Sequence, residues 1–420
     1  MSLLKRLGQS LNRRRIADHL NPEPDDGSET RPFRIRREEL AERILLPMMR
    51  VTDEQTARAE HRDKGQHLAR QELWSDLSRL IRQADRDRVG TPGGESAALL
   101  MAGGAREDVV AVAEHRVIDG AAPDDAGIEA LESVLGEMPN DYPCALIVAM
   151  AHLDIAGAWQ SAQEATAQTA RDRVAHHMDR AEDVLQPFDA VALDAPSLAA
   201  AQCRIAAGGP DPCEHLADAF EDLIDLDPAS PRHMRELGLH LMPSRYGTAD
   251  TLEREARRTA ARTGDVWGAG AYAWVYRDAL VQEPAMLATL DPAFFIDGLH
   301  DILRHRPDQH VANDLAAFCA ISMAPGGPAA GHGAREAARR RLHHCLGWIL
   351  ERHLHELHPL IWSQALLCPG QTTPLPSRRA FIDRGHDTAL QVIARHYSEE
   401  IAGGKRIAFS PGGMYQLGAS

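Results

Sequence analysis

The chain has 420 residues, of which 44% are hydrophobic, 25% charged and 5% aromatic, and its formal net charge is -15 at pH 7. That balance excludes a disordered chain and argues against a general nucleic-acid binder, because a phosphate backbone is engaged by a positive surface. Ala and Leu recur far more than Val, Ile, Thr or Tyr, which favours helices over pleated sheets and predicts an all-α fold.

In chain order, the first element is a basic amphipathic arm. Leu4, Leu7 and Leu11 fall on one helical face, with Lys5, Arg6 and Arg13, Arg14, Arg15 around them, and residues 21–30 (NPEPDDGSET) read as a flexible tether. Such an arm docks on an anionic membrane surface or in a partner's groove; a frayed, solvated terminus is the plainer expectation. It has no uninterrupted apolar core leading to a cleavage site, so no secretory signal is expected. The longest apolar run, residues 144–151, falls well short of the ~20 residues that cross a bilayer. The six cysteines (Cys144, Cys203, Cys213, Cys319, Cys345, Cys368) are scattered without a C-x-x-C pair. Free thiols in a reducing compartment follow, and the expected location is cytoplasmic.

Residues 36–88 read as helix, highly charged over 53–67, and GTPGG at 90–94 breaks the pattern. A helical hairpin is predicted over 128–136 and 143–155, followed by a long helix over 160–185 with Ala167, Ala170, Val174, Met178, Ala181 and Leu185 facing inward. A further pair spans 197–207 and 211–226. Three times an N-cap residue precedes Pro: Asp211-Pro212, Ser230-Pro231 and Asp291-Pro292. The cap accepts from orphan amides of the first turn, and Pro removes an amide that has no partner there. Glu214 stands three residues after Asp211, as in a capping box. Apolar residues at helical spacing follow each start, and another helix is expected after Asp308. A Gly/Pro-rich stretch at 324–333 is the best internal boundary, and the last residues read as irregular. The expected organisation is therefore an arm and linker at 1–35, a helical array at 36–323 and a C-terminal helical region at 334–420.

Phe220 stands eight residues before Pro228 at the end of the 197–228 pair, the separation of Phe and Pro in a tetratricopeptide repeat, which this window resembles. Residues 233–276 carry a more specific likeness. Leu241, Pro243, Arg245, Tyr246 and Gly247, with Ala256-Arg257 downstream and an aromatic-rich helix beyond, resemble the signature of an uncharacterised bacterial family of TPR-like helical-repeat proteins. Tyr246 stands where that family has Trp. The likeness covers residues 129–304. It implies irregular TPR-like antiparallel helix pairs, an α-solenoid-like arrangement, and brings no activity with it.

Three constellations bear on function. The aromatic group Tyr246, Trp267, Tyr272, Trp274 and Tyr276 is dense for so aromatic-poor a chain. The alternation of Tyr272, Trp274 and Tyr276 places part of it toward solvent or a groove, so with Arg245 it forms the candidate binding surface; packing within the signature turn is the plainer reading. His355 and His358 are three apart on a predicted helix over 334–357, compatible with two metal ligands, although HELH is one residue short of H-E-x-x-H. Gly268-Ala269-Gly270 within a G-x-G-x-x-A string lacks the preceding strand of a dinucleotide site. No cofactor is implied, and no nucleophile-elbow, P-loop or kinase motif occurs. The function expected first is an intracellular scaffold or adaptor that binds a protein partner through its helical surface. The alternatives are a metal-dependent hydrolase using His355 and His358, and a peripheral membrane protein held by the N-terminal arm.

Overall fold

The computed structural model describes residues 37–121, 124–162, 167–208, 212–325, 333–367 and 377–418. The basic arm (Leu4, Leu7, Leu11, Arg13, Arg14, Arg15), its tether and the Asp211 cap lie outside them. Helices dominate, as the composition predicts, and three short strands accompany them among the described residues. The chain divides into two compact units: residues 51–305 form one, and the described residues before 51 and after 305 form the other. The division therefore falls after His305 rather than in the 324–333 stretch.

Helix α1 (Arg37–Arg43) leads into strand β1 (Ile44–Leu45), both in the discontinuous unit. The larger unit opens with α2 (Asp53–Arg70) and α3 (Trp74–Arg86) where one charged helix is expected. Thr52 starts α2 with a capping box: its hydroxyl accepts from the Gln55 amide, and the Gln55 side chain accepts from the Thr52 amide. Glu72, in the left-handed region at φ 56°, separates the two helices. Next comes α4 (Ala97–Ile118), whose backbone touches that of α2. A Cβ on Gly65 would stand 2.0 Å from the Met101 carbonyl oxygen, and one on Gly104 would stand 1.9 Å from that of Arg62. Only glycine permits this approach.

The expected hairpin is present as α5 (Ala126–Glu137) and α6 (Tyr142–Gln160). Among the described residues, α6 is the helix long and apolar enough to cross a membrane, but 83% of its apolar window is buried inside the structure. That is how a core helix apolar on all sides behaves. It packs on α4, α5, α7 (Ala167–Leu185) and α8 (Pro196–Gly208). The unit is completed by α9 (Pro212–Leu226), α10 (Pro231–His240), α11 (Ala249–Arg262), α12 (Gly264–Trp267), α13 (Gly270–Gln282) and α14 (Pro292–His305). Asp291 caps α14 as predicted, its Oδ1 accepting from the Ala293 and Phe294 amides. Helix α13 lies against α10, α11 and α14.

In the second unit, α15 (Gln309–Ala317), α16 (Ala334–Arg352), α17 (Pro359–Ala365), α18 (Arg378–His396) and α19 (Ser398–Ala402) precede strands β2 (Arg406–Ser410) and β3 (Gly413–Leu417). The Asp308 side chain accepts from the Val311 amide and so caps α15. The tail expected to be irregular is a hairpin. β2 pairs antiparallel with β3 and parallel with β1, which places Ile44 beside Ile407. Ile407 and Phe409 point inward on alternate positions and are buried.

Candidate functional site

The aromatic group does not form a surface. Trp267, Tyr272, Trp274 and Tyr276 are all at most 2% exposed, because α13 is enclosed by three neighbouring helices and has no solvent side for the alternating residues to face. Their polar atoms serve the fold. The Tyr272 and Tyr276 hydroxyls donate to Glu253 Oε2 at 2.7 and 2.8 Å, and Trp267 Nε1 donates to the Pro228 carbonyl at 2.7 Å. Burial raises both tyrosine pKa values, and the neighbouring Glu253 carboxylate adds to the effect. Of the candidate surface, Arg245 remains exposed and Tyr246 half-buried.

The expected histidine pair is not on a helix either. α16 ends at Arg352, and His355 and His358 lie in the connection to α17, whose first residue is Pro359. Two side-chain amides hold this connection open. Gln309 Oε1 accepts from the His355 and Glu356 amides, and Asn313 Oδ1 accepts from the His358 amide and from Trp362 Nε1. His358 is buried at 5% exposure. The shared helical face required by a two-histidine ligand set is therefore absent. Among the described residues, no group of three or more His, Cys, Asp or Glu side chains is arranged to hold a metal.

The larger unit instead presents a cleft of about 790 Å³ on the faces of α2, α4, α6, α7, α8 and α10, with Tyr246 also in its lining. Its apolar lining includes Leu99, Leu100, Met150 and Leu153, and its charged lining has five arginines against five carboxylates. Most of these charges are paired. Arg58 and Arg232 both meet Glu95, at 2.8 and 3.0 Å, Arg232 also meets Glu236 at 2.9 Å, and Arg62 meets Glu107 at 2.6 Å. Deeper in, Arg106 Nε donates to Asp154 Oδ2 at 2.7 Å, while Arg204 reaches Asp154 Oδ1 at 3.0 and 3.1 Å. His240 stacks on Tyr246 with ring centroids 5.9 Å apart, and burial lowers its pKa.

A second buried polar group lies between α5, α6 and α7. His152 Nδ1 and His177 Nδ1 are 2.9 Å apart, and the two histidines are 2% and 0% exposed. His152 Nε2 lies 3.1 Å from Glu132 Oε1, which also accepts from Arg180, and Arg173 Nη2 lies 3.4 Å from His177 Nε2. One pattern of protons satisfies every contact with both rings neutral. Arg173 donates to His177 Nε2, His177 Nδ1–H donates to His152 Nδ1, and His152 Nε2–H donates to Glu132. Burial, followed by the neighbouring His152 and Arg173, pushes the His177 pKa down to about 3.

Fold and site together define a predominantly helical protein whose larger unit carries a charge-lined cleft. Compared with known proteins, the chain matches no family model, no curated protein and no solved structure.

Proposed function

We propose that residues 51–305 act as a protein-interaction scaffold whose cleft takes up an extended segment of a partner protein. The cleft itself is the observation that carries this reading. Its volume of about 790 Å³ lies within the range of built ligand sites, ~300–1,000 Å³. Leu99, Leu100, Met150 and Leu153 supply apolar lining, and the Arg58–Glu95–Arg232 and Arg62–Glu107 pairs add charge to it. An apolar contact area with polar groups around it is the usual anatomy of a protein interface. Most of these residues come from six helices, so their spacing depends mainly on packed cores.

A photo-crosslinking residue placed at Leu100 tests it, with a second placed at Val112, which is 55% exposed on the same helix and outside the cleft lining. In cells that express the protein, a partner is expected to crosslink from position 100 and not from position 112, and Gly157→Trp is expected to abolish the adduct. Equal labelling from both positions, or none from position 100, would remove the cleft as the docking site.

A further inference from the structure

We propose that the cleft selects a segment bearing a carboxylate, an aspartate or glutamate side chain, and that Arg106 is the residue that receives it; the inference rests on the cleft being a peptide site. Arg106 is 8% exposed, yet it belongs to the cleft lining. Its Nε is spoken for by Asp154. Its Nη1 is buried and has no hydrogen-bond partner. A guanidinium nitrogen left in this state is an uncompensated desolvation that a bound acceptor would relieve.

The surrounding charges set the kind of acceptor. Asp154 is shared by Arg106 and Arg204, so at this point of the lining two guanidiniums meet one carboxylate. Burial disfavours the charged form of Arg106 and Asp154 opposes it; a second carboxylate at Nη1 would complete the pairing, and charge-assisted bonds of this type are the strong ones. Other carboxylates of the lining, Glu95, Glu107 and Glu236, repel a chain of phosphates. A single side-chain carboxylate therefore fits better than a polyanion.

Access is also provided. Gly103 and Gly157 line the cleft from helix interiors, where glycine weakens a helix relative to alanine. Neither is required by close packing: a Cβ at Gly157 would meet nothing within 4 Å, and one at Gly103 would meet only Arg106 Nη1, at 3.9 Å. The missing side chains leave the cleft unfilled beside Arg106.

The test uses the full chain and an array of short synthetic peptides with blocked termini, in which every Asp or Glu peptide has an Asn or Gln counterpart. Bound peptides are expected to carry an acid at a fixed place and to bind about tenfold more weakly as the carboxamide. That discrimination is expected to disappear in Arg106→Lys, which keeps a charge for Asp154 but loses Nη1. The carboxamide comparison on the unaltered protein decides the matter even if the variant folds poorly. Peptides that bind, and are lost on Leu100→Trp, but show no preference for the acid would overturn the carboxylate inference and leave the peptide cleft standing. A preference for phosphorylated peptides over acidic ones would overturn it too. Binding of no peptide at all would overturn both.

Discussion

The His152–His177 contact makes stability depend on pH in a direction the structure fixes. Each neutral ring donates one proton and accepts one in the chain from Arg173 to Glu132. Protonating His177 at Nε2 would replace the acceptor that faces the Arg173 guanidinium with a second donor, and protonating His152 at Nδ1 would set two N–H groups against each other across 2.9 Å. Burial lowers the pKa of both rings, and that of His177 falls to about 3 from the ordinary 6.5. The unfolded chain therefore binds more protons between pH 6.5 and 3, so the stability held by the neutral ring is complete above 6.5 and is lost as pH falls through that window. At pH 5 the loss from His177 alone is about 2 kcal/mol relative to pH 7, from 1.36 kcal/mol per unit. The acids nearby, Glu132 and Asp125, are held below their ordinary values, chiefly by Arg180 and Arg173 respectively. Urea unfolding of the full chain, followed by circular dichroism at pH 7 and pH 5, measures the difference. His177→Leu is expected to be less stable at pH 7, because His152 Nδ1 loses its donor, while its pH 7 to pH 5 difference shrinks by about 2 kcal/mol. An unchanged difference would show that the pair does not govern the acid response.

Other substitutions test the remaining structural claims. Glu253→Ala leaves the buried Tyr272 and Tyr276 hydroxyls without their shared acceptor and is expected to cost about 3 kcal/mol, against about 1 kcal/mol for Tyr276→Phe; equal urea midpoints for the two would refute the shared role. Gly238→Ala would put a Cβ 1.8 Å from the Val275 carbonyl oxygen and is expected to destabilise by about 1–3 kcal/mol. Gly157→Ala meets open space and is expected to stabilise by about 0.4–1 kcal/mol, so thermal unfolding should move in opposite directions for the two glycines. Asn313→Ala removes two bonds donated to the Gln309 and Glu356 carbonyls and two accepted from His358 and Trp362. The expected loss is about 3 kcal/mol, with a change in near-ultraviolet dichroism as Trp362 loses its partner.

Local rules made most helix starts legible. Ser230-Pro231, Asp291-Pro292 and Asp308 all stand where α10, α14 and α15 begin, because a cap and its Pro act within one turn. The Ser230 hydroxyl nevertheless donates to the Gly94 carbonyl and does not cap its own helix, so the residue was right for a reason the sequence does not contain. The second strand leaves a local trace: Ile407 and Phe409 alternate before a Pro-Gly-Gly turn, the period-two signal on a short scale. Its parallel partner, β1, lies more than 350 residues earlier in the chain, and no local pattern announces that pairing. Likewise, helical periodicity carried through His355 and His358. The Gln309 and Asn313 amides that open the chain there come from a different helix.

The misplaced aromatic surface and the unforeseen cleft have one cause. Apolar residues on every side of a helix indicate a buried element, and Ala271, Tyr272, Ala273, Trp274, Val275 and Tyr276 satisfy that condition. Alternation implies exposure only where a helix has a solvent face, and α13 has neighbours on three sides. The cleft presents the reverse difficulty. Arg62, Arg106, Asp154 and Arg204 lie on four helices, and each, taken alone in the sequence, is an ordinary solvated charge. Packing distinguishes them: Gly65 and Gly104 bring α2 against α4 closely enough for Arg62 to reach Glu107, and α6 carries Asp154 to within reach of both Arg106 and Arg204. Arg106 is buried enough to need acceptors and is supplied with one carboxylate that it must share with Arg204. The pattern formed by Arg62, Arg106, Asp154 and Arg204 arises where separate helices meet, so it is a property of the fold that no segment of the sequence displays.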